Sequence, residues 1–222
     1  MNQFWKLVAR DLRLAVREGG AVGTALGFFL VVVALMPLGL GPDLNLLSRI
    51  ASGVLWIALL LAALLSLGRI FETDYDDGTL EVLATGALPL QAVTAAKALA
   101  HWLSTGIPLA LLAPLLGILL NLDLKATPAL VATMLAGTPA VSFLGSIGAA
   151  LTLKARKGGL LLALVVLPLY VPTLIFGISA VSAVALGTGA FQASFLILVA
   201  ISLASVVIGP IAAAAALRLQ LE

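Results

Sequence analysis

The sequence has no cysteine, one histidine and little charge. Asp, Glu, Lys and Arg together make up 10% of its 222 residues, against about 25% in soluble domains. Without cysteine there can be no disulfide, thiolate metal site, cysteine nucleophile or c-type haem attachment. A single histidine leaves no H-E-x-x-H pair for a metal-dependent hydrolase, and a serine enzyme would have only His101 as a conventional base. No G-x-x-x-x-G-K-[ST] occurs, so the chain carries no P-loop for ATP. The net charge of +2 is too small to imply a nucleic-acid partner. Apolar residues, by contrast, make up 62%. This composition excludes a soluble enzyme and a disordered chain, and describes a protein dissolved mainly in lipid.

The positions of the few charges divide the chain. Gly19 to Pro42, Ile50 to Gly68, Ala98 to Leu122 and Ala126 to Leu153 are each free of Asp, Glu, Lys and Arg, and Gly158 to Leu217 is a longer charge-free stretch. A hydrocarbon core needs about 20 helical residues. The first four stretches therefore hold one helix each, and the last holds two, divided near Gly187-Thr188-Gly189. None shows the apolar–polar alternation of a barrel strand. The expected fold is all-α and polytopic: a single transmembrane domain over 1–222 with spans at about 20–41, 50–68, 99–121, 128–152, 160–180 and 191–216. The uncharged run near the start is too long for the h-region of a cleaved signal peptide.

Six spans place both termini on one side. That side holds Lys6, Arg10, Arg13, Arg17, Arg69, Lys97, Lys154, Arg156, Lys157 and Arg218; the other holds only Arg49 and Lys125. The positive-inside rule then predicts cytoplasmic termini. Residues 2–18 read as an interfacial helix. Lys6, Arg10, Arg13 and Arg17 fall in one stripe at helical spacing, opposite Phe4, Val8, Leu12 and Ala15, with Trp5 and Val16 on the flank. It is either a topology anchor in contact with membrane lipid or an elbow that carries motion along the membrane surface.

The cytoplasmic segment 69–97 gathers an unusual share of the acids, in Phe71-Glu72-Thr73-Asp74-Tyr75-Asp76-Asp77-Gly78-Thr79-Leu80-Glu81. Aligning Gly78 with the EF-hand glycine places Thr73 and Tyr75 where carboxylates are needed, so a calcium loop is excluded. A short helix fits better. Gly78 allows a turn, Asp76 and Asp77 cap the helical turn beyond it, Leu80, Val82 and Leu83 form a small apolar face, and Gly86 and Pro89 end it. Such an element suits docking to a basic groove on a soluble partner; an ordinary solvated loop is the plainer reading. Lys154-Ala155-Arg156-Lys157-Gly158-Gly159 is either a topology signal or a second cytoplasmic contact. His101-Trp102 is expected at the cytoplasmic end of the third span, as an interfacial pair or, less simply, as a haem ligand with its neighbour. No Asp, Glu, Lys or Arg lies within the expected spans, which argues against a self-powered transporter. Pro108, Pro139, Pro168 and Pro172 are expected to break or kink the later spans.

Several of these segments, in order, carry a family resemblance. Phe71-Glu72-Thr73-Asp74 followed by Asp77-Gly78-Thr79-Leu80-Glu81, then Ala100-His101-Trp102 with Thr105-Gly106-Ile107-Pro108-Leu109, Gly137-Thr138-Pro139, Phe143-Leu144-Gly145, Arg156-Lys157-Gly158-Gly159 and Leu167-Pro168-Leu169 with Pro172 resemble the haem exporter B (CcmB) family of the cytochrome c maturation system. The resemblance spans essentially the whole chain and is strongest from Phe71 to Phe176. It implies an ABC-2-type exporter permease of the bacterial inner membrane, with no ATP site of its own. Phe71, Glu72, Asp74, Asp77, Gly78, Thr79, Leu80 and Glu81 would couple it to a separate ABC ATPase, which binds the ATP. The implied partners are that ATPase, a haem-handling membrane subunit and a periplasmic haem chaperone, with haem as cargo of the complex rather than a resident cofactor. The implied function is haem export or release of the haem-loaded chaperone. A permease for another cargo and a non-transporting assembly scaffold are the alternatives.

Overall fold

A computed structural model describes residues 2–155 and 158–221, with Arg156 and Lys157 outside the described residues. Every regular element among them is helical: α1 (Gln3–Glu18), α2 (Gly20–Leu40), α3 (Leu44–Leu67), α4 (Arg69–Asp76), α5 (Thr79–Thr85), α6 (Leu90–His101), α7 (Ile107–Leu119), α8 (Thr127–Leu151), α9 (Gly158–Ala185) and α10 (Phe191–Leu221). A π-turn over Trp102–Gly106 joins α6 to α7, and a 3₁₀ turn over Leu124–Ala126 leads into α8. Merging α3 with α4, and α6 with α7, yields six helices long and apolar enough to cross a membrane.

Local chemistry sets the ends of these helices. Gly19 closes α1 in a left-handed conformation at φ +56°, its N–H donating to the Ala15 carbonyl, and so turns the interfacial helix directly into the first span. Asp43 starts α3 by accepting from the N–H groups of Asn45 and Leu46, each at 3.0 Å. Gly68 keeps a right-handed helical conformation, so α3 passes into α4 with little interruption.

Helices α3 and α8 are the most enclosed, and α8 packs against α10, α9, α7 and α3. Small residues allow these approaches. A Cβ at Gly209 of α10 would lie 2.7 Å from the Phe143 carbonyl oxygen of α8, so the two backbones nearly touch. Trp56 of α3 is fully buried, with its ring in a slot formed by Gly137 of α8 and Gly177 of α9.

Two expectations change. First, Pro139, Pro168 and Pro172 do not break their spans, because α8 and α9 run through them. Side chains from neighbouring helices bond to backbone carbonyls nearby. Ser202 donates to Ala136 O at 2.5 Å and Tyr170 to Val141 O at 2.6 Å, tying α10 and α9 to α8 on either side of Pro139. Pro108 sits at the start of α7, just after the π-turn, and the long helix continues through that wider turn rather than stopping. Second, the third long helix begins at Leu90, so Lys97 lies within a helix and not in a loop before it.

Candidate functional site

The site is built where α1, α4, α5 and α6 meet at one end of the bundle. Its outward part is α5. Gly78, at φ +76°, reverses the chain after α4. Asp77 then accepts from the Thr79 N–H at 2.8 Å, and hydrogen bonding from the side chain and the backbone of Thr79 holds its carboxyl below the ordinary value. Asp76 is the last residue of α4 and makes no cap of α5. Leu80 is buried and Leu83 packs beside it, three residues on, whereas Val82 is 69% exposed. The apolar face is thus narrower than expected, and Val82 projects away from the bundle. Glu72, Asp76, Asp77 and Glu81 are also exposed, giving an acidic surface around one exposed valine.

Two grooves flank the Gly86–Leu88 loop. One, of about 390 Å³, lies between that loop and α1, lined by Lys6, Leu7, Val82 and Leu83. The other, of about 690 Å³, reaches Arg218 and Leu221 at the end of α10. The N-terminal helix, the acidic segment and the C-terminal end therefore share one end of the molecule. At the opposite end Asn121 donates to the Leu44 carbonyl.

The inward part is an ion network. Arg10 of α1 donates to Asp74 of α4 at 2.5 Å and pairs with Asp11 at 2.8 Å. Lys97 of α6 donates to Asp11 at 3.1 Å and to the Ile70 carbonyl at 3.2 Å, and also pairs with Asp74. All three ammonium protons of Lys97 are thereby engaged. Two cations balance two carboxylates, as burial of charge requires. Asp74 and Lys97 are nearly inaccessible, and Arg10 is partly exposed. Burial works against the charge of Arg10, but Asp11 and Asp74 outweigh it and raise its pKa above the ordinary guanidinium value.

Behind the network lies a cavity of about 110 Å³, room for several waters, lined by Arg10, Asp11, Ser66, Arg69, Asp74, Lys97 and His101 among others. His101 is buried among the helices. Its Nε2 lies 2.8 Å from Ser66 Oγ and its Nδ1 2.9 Å from Ser142 Oγ. Ser66 donates its own proton to the Ala63 carbonyl at 2.9 Å. It therefore accepts from Nε2–H, and a neutral ring with Nδ1 accepting from Ser142 satisfies every partner. Binding of a metal at Nδ1 would have to displace Ser142. Trp102 likewise turns toward α8, donating from Nε1 to Thr138 Oγ1 at 3.0 Å.

The structure divides the residues singled out in the sequence. Phe71, Asp74 and Leu80 point inward and hold the segment to the bundle; Glu72, Asp77 and Glu81 are exposed, with Gly78 and Thr79 half-buried between them. Of the basic turn, Arg156 and Lys157 lie outside the described residues, and Gly158 and Gly159 begin α9. Asp11 and the inward role of Arg10 and Lys97 escaped the sequence reading, which placed Arg10 on a basic stripe and Lys97 among the topology signals. A signal was present. Asp11 lies four residues after Leu7 and three after Val8, Asp74 stands likewise to Ile70 and Phe71, and Lys97 to Val93 and Thr94. Each charge thus sits on its helix's buried face, where it needs a partner.

Comparison with known proteins gives a consistent result. A family model described as CcmB protein matches residues 2–220. Proteins named "Heme exporter protein B" are similar over nearly their whole lengths. The one from Paracoccus denitrificans is 58% identical, over 97% of this chain and 99% of the relative. The one from Bradyrhizobium diazoefficiens is 53% identical over the full length of both. The one from Escherichia coli K12 is 42% identical over 99% of each.

Proposed function

The chain belongs to the CcmB protein family, and from that premise we propose that it is the membrane subunit of an ABC-type haem exporter serving cytochrome c maturation. The name of its relatives supports haem transport, and its six long apolar helices support a multi-pass membrane protein. It is a permease subunit without an ATP site, working with a separate ABC ATPase. Haem is cargo of the complex. A haem-handling membrane subunit and a periplasmic haem chaperone complete the set of partners. The chain resides in the bacterial inner membrane with both termini in the cytoplasm, a reading supported by the crowding of cations at the end where α1, α5 and the close of α10 meet.

The observation that carries ATPase coupling is α5 itself: a short helix held from inside by Leu80, presenting Asp77, Glu81 and Val82 outward beside two grooves. ATP binding closes the paired ATPases, α5 moves with them, and the displacement passes into the bundle. Coupling of this kind needs contacts that differ between two states. Asp77→Lys or Glu81→Lys is expected to weaken ATPase co-purification by about tenfold or more while membrane insertion stays normal. Unchanged co-purification and unchanged ATP-driven activity in both variants would overturn the assignment of α5. A scaffold that needs no ATPase would leave ATP turnover unaffected by the presence of this chain.

Between haem passage and chaperone release, release is favoured. The only histidine of the chain has both ring nitrogens engaged by serine hydroxyls, so no free imidazole is on offer to a haem iron on its way through.

A further inference from the structure

The ion network lies directly behind the proposed docking helix, and its connectivity is informative. It joins three elements that are distant in sequence: the interfacial helix α1 through Arg10 and Asp11, α4 through Asp74, and α6 through Lys97. Between α4 and α5 the chain offers one conformationally permissive point, Gly78. Beyond it, α4 cannot easily shift alone. Moving α4 away from α6 would leave Lys97 without Asp74 and the Ile70 carbonyl, and moving it away from α1 would leave Asp74 without Arg10. Either motion leaves buried charge uncompensated, which is far costlier than carrying the neighbours along.

We propose that Lys97 and Asp74, bridged by Arg10 and Asp11, are positioning residues that make α1 and α4 move as one body, so that displacement of the docking helix becomes displacement of the interfacial helix. The inference rests on the ATPase-coupled reading above. It assigns α1 a moving role, in place of that of a fixed anchor on the lipid surface. The network also explains why α1 carries an acid on its buried stripe: without Asp11, Lys97 and Arg10 would share a single carboxylate.

The cysteine-free chain allows a direct test in the complex with its ATPase. Spin labels are placed on introduced cysteines at Lys6 and Thr73, exposed positions of α1 and α4, and in a second sample at Lys6 and Leu219, the latter near the end of α10. Distances are read without nucleotide and with trapped ATP. The α1–α4 distance should stay single and unchanged, and the α1–α10 distance should shift. In Lys97→Met the ATPase should still co-purify with turnover within about twofold of normal, while the α1–α4 distance broadens and haem attachment to cytochrome c falls by about tenfold.

An α1–α4 distance that changes with ATP in the unaltered network, or an α1–α10 distance that does not, overturns the inference. So does normal haem attachment in Lys97→Met. If that variant does not accumulate, Arg10→Gln, at the partly exposed corner of the network, takes its place with the same expectations. Failure of the ATPase to co-purify with the unaltered chain takes down the coupling reading and this inference together, whereas a complex that forms but shows independent α1 and α4 motion overturns this inference alone.

Discussion

Gly177 and Trp56 show how one missing side chain can place a large one inside the bundle. A Cβ at Gly177 would lie 2.4 Å from two atoms of the Trp56 ring, and Trp56 is fully buried with Gly137 on its other side. The ring has nowhere to retreat. Gly177→Ala is therefore expected to cost about 1–3 kcal/mol as overpacking, read as a lower thermal midpoint of the purified protein. Adding Trp56→Phe should recover part of the loss, because the smaller ring leaves the slot open. At this scale the sequence was only partly readable. Gly137 was visible within a motif, but nothing along the chain pairs it with Gly177 and Trp56, which lie on three different helices. The inward contacts of His101 and Trp102 were hidden for a similar reason. A polar residue next to Trp at the edge of an apolar run suits the membrane boundary; only the serines and threonine of neighbouring helices turn it inward.

Among the elements, α5 was the most legible and α1 the least. The turn at Gly78 and the stop near Gly86 follow from backbone chemistry that acts within a few residues. Asp77 supplies the bond to Thr79 that starts the helix, and its folded pKa lies below the ordinary carboxylate value of 3.8. A carboxylate with a depressed folded pKa contributes stability above its unfolded value, and that contribution is lost as pH falls through the folded one. Amide protection factors in α5 should accordingly be steady from neutrality down to the ordinary value and fall only below it, while Asp77→Asn should remove that acid step. For α1 the basic stripe was right in spacing, yet Arg10 turns toward Asp74 and leaves Lys6, Arg13 and Arg17 as the exposed cations. The reason is tertiary: Asp74 and Lys97 are brought to α1 by helices more than sixty residues away.

For the molecule as a whole, both ends can be assigned without reference to any partner. One end carries α1, the α4–α5 segment, the start of α6 and the close of α10; the other carries the α2–α3 turn, the 3₁₀ turn after α7 and the α9–α10 turn. The chain lacks cysteine, so single substitutions report sidedness cleanly. Cysteines at Thr85 and Leu219 should be labelled only from the cytoplasm, and cysteines at Gly41 and Gly187 only from the periplasm, by a membrane-impermeant maleimide in intact cells and inverted vesicles. Labelling of Thr85 and Gly187 from the same side would contradict the six-span topology. This fold was open to sequence reading because lipid imposes its own rule: spanning backbone must satisfy itself internally, so long apolar runs become helices whatever surrounds them.

The sequence by itself determined the lipid-embedded all-helical fold, the number of spans, the crowding of cations at one end and the turn-capped acidic helix beside them. Each depends on composition or on contacts within a few residues. Only the tertiary structure decided which charges are surface and which are structural. Asp74 reads as part of a solvated acidic run until α1 and α6 close over it. Lys97 reads as a topology signal until its three protons find Asp11, Asp74 and the Ile70 carbonyl. The physical reason is that a charge is defined by its surroundings. Removal from water makes pairing compulsory, and that removal happens only when distant helices pack.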